Sequence, residues 1–170
     1  MPDVPPFDPY AILAALERRR VAYVVIGAFA RVIHGADELT DGIDVVPSLR
    51  GGNLHRLELA FADLDAERVD GRELAFDEQA IEAEPVIELR SPKGEIKVVA
   101  DPAGTRGGYD DLRRAATREP IGKGLRPSVA SLGDLARMLA ALGREQDMAK
   151  LRALRRLAEL ERMLAPELGL

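Results

Sequence analysis

Hydrophobic positions form helical stripes near both ends of the chain and short β-branched runs between them. After a proline-rich, extended lead-in, Ile12, Leu13 and Leu16 share one helical face between Pro9 and Arg20, and the basic run Arg18–Arg20 suits a helix C-terminus. The run "VAYVVIG" predicts a buried strand closing on Gly27. "AFARVIHG" predicts a short helix ending near Gly35, and "GIDVVPS" a second strand stopped by Pro47. Leu54, Leu57, Phe61 and Leu64 stripe a helix that Asn53 can cap. "ERVDGRELAF" contains a DG turn and reads as a hairpin, and "PVIELRSPKGEIKVVADP" reads as two strands around the turn Ser91–Gly94. "YDDLRRAA" opens a short helix. The Gly/Pro loop "PIGKGLRPS" is the best boundary. Beyond it, Ser131 to Asp134 fits a capping box, Leu132, Leu135, Met138, Leu139 and Leu142 line one face, and Gly143 suits a C-cap. A last helix runs from about Asp147 to Leu164, with Leu151, Leu154, Leu157 and Leu160 to Leu164 as its stripe. Strands mixed with helices, then a helical pair, define an α/β or α+β chain.

Composition narrows the chemistry. The chain has 170 residues, 46% hydrophobic and 31% charged, with a net charge of −5. No cysteine is present, which removes disulfides, thiolate metal sites and cysteine nucleophiles. Two histidines do not make a histidine-rich metal centre. The acidic balance and the 4% aromatic content argue against a nucleic-acid coat or a base-stacking platform, although a local basic patch is allowed. No apolar run reaches the roughly 18 residues of a membrane helix, and the lead-in lacks the regions of a signal peptide, so a cytoplasmic protein is expected.

The candidate chemistry centres on "LTDGIDVVPS". Asp41 and Asp44 stand three residues apart, and on a regular strand they face opposite sides. Gly27 marks either a tight strand–helix turn or a phosphate-binding turn. His34 reads as a capping or packing residue, His55 as an exposed one, and Glu38 and Asp41 as solvated loop charges. Arg106, in the loop "GTRGGYDD", offers a phosphate contact or an ordinary surface charge. The leucines of the last helix read as core or as an interface.

Taken in order, "YVVIGAFARVIHG", "LTDGIDVVPS", "SPKGEIKVVADPAGTRGGYDDLRRAA" and "VASLGDLARMLAALGREQDMAKLRALRRL" resemble the nucleotidyltransferase (polymerase-beta-like) superfamily, and within it the AbiEii/MenT-type toxin group. The resemblance implies a mixed sheet flanked by helices over residues 1–119 and a C-terminal helical pair over 120–170. It implies magnesium held by three acids in active members, nucleotide as ligand, and tRNA or a cognate protein as partner. Gly27 and Ala28 correspond to the phosphate turn, and Asp44 to the second acid of a strand pair. Gly42 stands where the first acid belongs, and Lys97 where the third belongs, with Glu95 two residues before it. A β-bulge at Gly42 would bring Asp41 round to the face of Asp44. Without a metal, Lys97 is expected to contact Asp44 across adjacent strands. Arg126, Arg137 and Arg144 could form a basic strip for nucleotide or tRNA, while Leu139 occupies a position that often carries lysine in relatives. Three functions follow: an impaired member that binds a nucleotide or partner in a toxin–antitoxin setting, an active magnesium enzyme using Asp41, Asp44 and Glu95, or a plain interaction module.

Overall fold

A computed structural model of the chain describes residues 6–165; the first part of the proline-rich lead-in lies outside them. A seven-stranded mixed sheet runs in the order β3-β4-β5-β2-β1-β7-β6. Its strands are β1 (Tyr23–Ile26), β2 (Gly42–Pro47), β3 (Glu67–Arg68), β4 (Val86–Ser91), β5 (Gly94–Val99), β6 (Thr117–Arg118) and β7 (Ser128–Val129). The pairs β2–β5 and β1–β7 are parallel, and the other four are antiparallel. The helices are α1 (Pro9–Arg18), α2 (Gly27–Ile33), α3 (Gly51–Asp63), α4 (Glu78–Ala83), α5 (Tyr109–Leu112), α6 (Leu132–Leu142) and α7 (Met148–Leu164). The mixed α/β sheet with a helical pair at the end is therefore present.

Alternation on the central strands explains the layering. Ile43, Val45, Ile87, Leu89, Ile96 and Val98 are buried and join Leu13 and Leu16 of α1 with Leu54, Leu57 and Phe61 of α3 in one core. Each such side chain contributes about 1.5–3 kcal/mol on leaving water. The intervening residues Glu88, Arg90, Glu95 and Lys97 are exposed, so this half of the sheet shows an open, charged face. Among the described residues no helix is long and apolar enough to cross a membrane.

Local signals account for several ends. Asp8 caps α1 by accepting from the Ala11 N–H, with Pro9 in the first turn. The Ser131 hydroxyl accepts from the Asp134 N–H at 3.0 Å, and Gly143 closes α6 in the left-handed conformation. Two expectations change. Asn53 does not cap α3, which begins at Gly51; its buried amide donates to the carbonyls of Ala22 and Ser48 and accepts from the Ala22 N–H at 2.6 Å. It thus ties the entry of β1 to the exit of β2. The DG turn makes no hairpin: β3 pairs with Leu89 and Arg90 of β4, whose long-range partnership satisfies its backbone.

Candidate functional site

β1 ends and α2 begins without a connecting loop, so the chain turns at Gly27 with φ +74°. Beside this turn, Asp44 sits mid-strand on β2, paired with Ile26 of β1 and with Lys97 of β5. The Asp44 carboxylate lies against Gly27: a Cβ there would stand 2.5 Å from Oδ2. Glycine is required twice, for the backbone conformation and for the approach of the carboxylate. Burial pushes the Asp44 carboxyl above the usual range; the charges of Lys97 and Arg31 pull it down, and Glu88 adds to the rise.

Asp44 faces a cavity of about 360 Å³ between the sheet and α6. Val86, Val99, Leu139 and Leu142 form apolar wall, and Arg31, Asp101 and Arg144 reach the lining with Gly27 and Ala28. The guanidiniums there are already committed. Arg31, 8% exposed, donates two bonds to Glu38 at 2.7 and 3.0 Å. Those bonds hold the Glu38 carboxyl below the usual carboxylate range, with Lys150 at 3.7 Å assisting. Glu38 is therefore not a solvated loop charge, because a buried guanidinium recruits it. Arg144 donates to the buried Asp147 at 2.5 Å. The larger groove, about 650 Å³, lies beside α7 and His34 and contains none of these groups.

The register decides the other candidates. Gly42, Ile43, Asp44 and Val45 pair one to one with Glu95, Ile96, Lys97 and Val98, so no bulge interrupts the ladder at Gly42. A Cβ on Gly42 would meet the Glu95 carbonyl oxygen at 2.8 Å. Asp41 precedes the strand, is exposed, and engages Glu95 only through its backbone carbonyl at 3.3 Å. Glu95 is exposed and lies opposite Gly42. Lys97 occupies the position beside Asp44 that the sequence implied, but its Nζ approaches Glu88 at 3.9 Å. No ion pair within 4 Å joins it to Asp44 among the described residues; the two interact through the field alone.

Arg106 stays outside the cavity lining; its backbone N–H donates to Asp111 at 2.8 Å. Arg137 spends its guanidinium on Asp111 and Asp134, and Arg126 is exposed on the loop before β7, so no continuous basic strip of free charges forms from these residues. His34 ends α2, and its Nε2 lies 2.8 Å from the Ala130 carbonyl, a packing role. His55 is exposed. Sequence reading missed Asp101 and Arg31. The signal for Asp101 was an acid directly after the strand run "KVVAD"; a buried arginine on a short helix left no comparable mark.

A divalent hard cation needs several oxygen ligands. The cavity lining holds two carboxylates, the desolvated Asp44 and the exposed Asp101, and among the described residues no three acidic or imidazole groups gather closely enough to hold a metal. Among the described residues these groups form no all-protein cage for magnesium; Asp44 and Asp101 are the carboxylates that would face such an ion beside a bound phosphate.

Strand, glycine turn, short helix and an acid-bearing strand beside a parallel neighbour define a nucleotidyltransferase fold, and solved structures share it. A candidate nucleotidyltransferase from Thermotoga maritima superposes with a TM-score of 0.58 at 17% identity, over 87% of this chain and 90% of that one. ANT(2″)-Ia, solved in complex with adenylyl-2″-tobramycin, gives 0.55 at 16% over 88% and 84%. The lincosamide antibiotic adenylyltransferase LnuA, bound to lincomycin, gives 0.59 at 14% over 88% and 95%. No family profile and no curated protein matches the sequence.

Asp44→Asn is expected to raise the melting temperature near neutral pH. With the folded-state pKa raised, the carboxyl is tolerated while protonated, below the ordinary aspartate range near 3.9. Its burial cost is complete once pH has risen through the folded-state value. Calorimetry across pH should show a gain of about 2–4 °C per kcal/mol recovered that fades on acidification. A gain independent of pH would contradict this origin.

Proposed function

We propose that this nucleotidyltransferase-fold protein binds a nucleotide, or a partner that presents one, in the Asp44 cavity, and that metal-dependent transfer is lost or strongly impaired. The observation that carries this reading is the register of β2 on β5: it sets Lys97 beside Asp44 and packs Gly42 against the Glu95 backbone where a second acid would have to stand. The apolar wall of Val86, Val99, Leu139 and Leu142 suits a nucleobase. The cytoplasmic toxin–antitoxin or defence setting belongs to the same proposal and rests on the sequence resemblance.

Calorimetry with ATP, GTP and CTP, with and without magnesium, tests it. Binding that does not need the metal, and that Leu139→Arg in the cavity wall abolishes, is expected. Incubation with labelled nucleoside triphosphates, magnesium or manganese, and total tRNA or protein should give no transfer above that of Asp44→Ala. Label transfer that Asp44→Ala abolishes would establish an active magnesium-dependent transferase and overturn the proposal. Absence of binding to all three nucleotides would leave a protein-interaction module. Growth inhibition on expression, compared between the wild type and Leu139→Arg, tests the toxin setting.

A further inference from the structure

The second half of α7 leaves the body of the protein. Leu151 and Leu154 are buried, Leu157 is half-buried, and Leu160, Met163 and Leu164 are 48%, 69% and 50% exposed. At about 100° per residue, Leu151 and Leu154 lie on the same side of the helix as Arg155, Ala158 and Arg162, which line the groove toward His34 and α6, and Glu161 stands at the boundary, on the rim of that groove. Ala153, Leu157, Leu160 and Leu164 lie on the other side, at successive spacings of four, three and four residues. That is the a/d repeat of a coiled-coil seam. Leu157 rests partly against the core, while Ala153, Leu160 and Leu164 are exposed, so a second helix can approach along this edge. A projecting helical end of this length gains little stability from its own backbone and depends on packing of its apolar face.

The flanking charges select the occupant. With Leu157 and Leu164 at a and Ala153 and Leu160 at d, Arg156 falls at g and Glu161 at e. In a parallel pair of identical helices, a g residue meets the partner's e residue five positions further on, so each Arg156 meets a Glu161 of the other copy. In an antiparallel pair, g meets g and e meets e, setting arginine against arginine and glutamate against glutamate. Neither Arg156 nor Glu161 has an ion-pair partner among the described residues. We propose that the protein self-associates through α7, two copies pairing in parallel along Ala153, Leu157, Leu160 and Leu164 with reciprocal Arg156–Glu161 contacts. This surface lies outside the Asp44 cavity and does not depend on the function proposed for it.

The seam is shorter than two heptads, so the dimer is expected to be weak, on the order of micromolar or above, and concentration-dependent. Sedimentation equilibrium of the full chain should show the mass rising from 18.5 kDa toward twice that value with concentration. Leu160→Lys should hold it at the monomer mass with an unchanged circular dichroism spectrum. Arg156→Glu and Glu161→Arg should each weaken association about tenfold, since two symmetry-related pairs turn repulsive, and the double exchange should restore it. A monomer at all concentrations, or a dimer indifferent to Leu160→Lys, overturns the proposal. Single exchanges without effect, or a double exchange as weak as either single one, overturn the parallel register and with it the proposed interface.

Discussion

Gly27→Ala is expected to cost about 2–5 kcal/mol. Two physical effects add. The backbone at this position holds φ at +74°, where a Cβ costs about 1–2 kcal/mol in an L-residue. The new methyl would also stand 2.5 Å from Oδ2 of Asp44 and 3.1 Å from its Cγ, an overpacking of about 1–3 kcal/mol. Calorimetry should show the melting temperature falling by roughly 5–15 °C. The two parts separate in a double-mutant cycle. In an Asp44→Ala background the carboxylate is gone, so alanine at position 27 should carry only the backbone cost, and the coupling should be on the order of 1–3 kcal/mol. Additive single effects would mean that the carboxylate does not press on the turn. The same methyl would intrude on the cavity lining, so any ligand held there should bind more weakly.

Glu38→Ala is expected to destabilise the chain by about 3–5 kcal/mol, because it leaves the Arg31 guanidinium buried and uncompensated. The side chains of Arg31 and Glu38 are only 10% and 13% exposed, so solvent does little to replace the lost partner. Glu38→Gln, which keeps an acceptor but no charge, should lose less. The pH dependence has a definite sign. The Arg31 hydrogen bonds lower the folded-state pKa of Glu38, so the pair stabilises the fold above the ordinary glutamate range and is lost as pH falls through the folded value. Urea unfolding at neutral and acidic pH should therefore show the gap between wild type and Glu38→Ala closing on acidification. A gap that persists when the wild-type carboxyl is protonated would place the effect in packing and not in charge.

Much of the fold was legible where local chemistry fixes local geometry. The serine cap and glycine stop of α6, the turn between β4 and β5, and the alternation along "PVIELRS" and "GEIKVV" each express a rule that operates within a few residues. The charges of the site were less legible. Glu38 looked like a loop acid because its partner, Arg31, carries no sequence sign of burial. Asn53 looked like a cap because its two partners on Ala22 lie 31 residues away in the chain.

The sequence by itself determined the longer elements, α1, α3, α6 and α7 with strands β1, β2, β4 and β5, and that Asp44 would stand on a β-branched strand after a glycine turn. Period and capping are properties of contiguous residues, and they survive without a partner. Only the tertiary structure decided which side chains share a space. The unbroken pairing of β2 on β5 kept Asp41 off the face of Asp44, brought Asp101 to the same cavity, and sent Lys97 toward Glu88. The two-residue strands β3 and β7 exist because partner strands supply their hydrogen bonds, a gain that no stretch of two residues can encode alone.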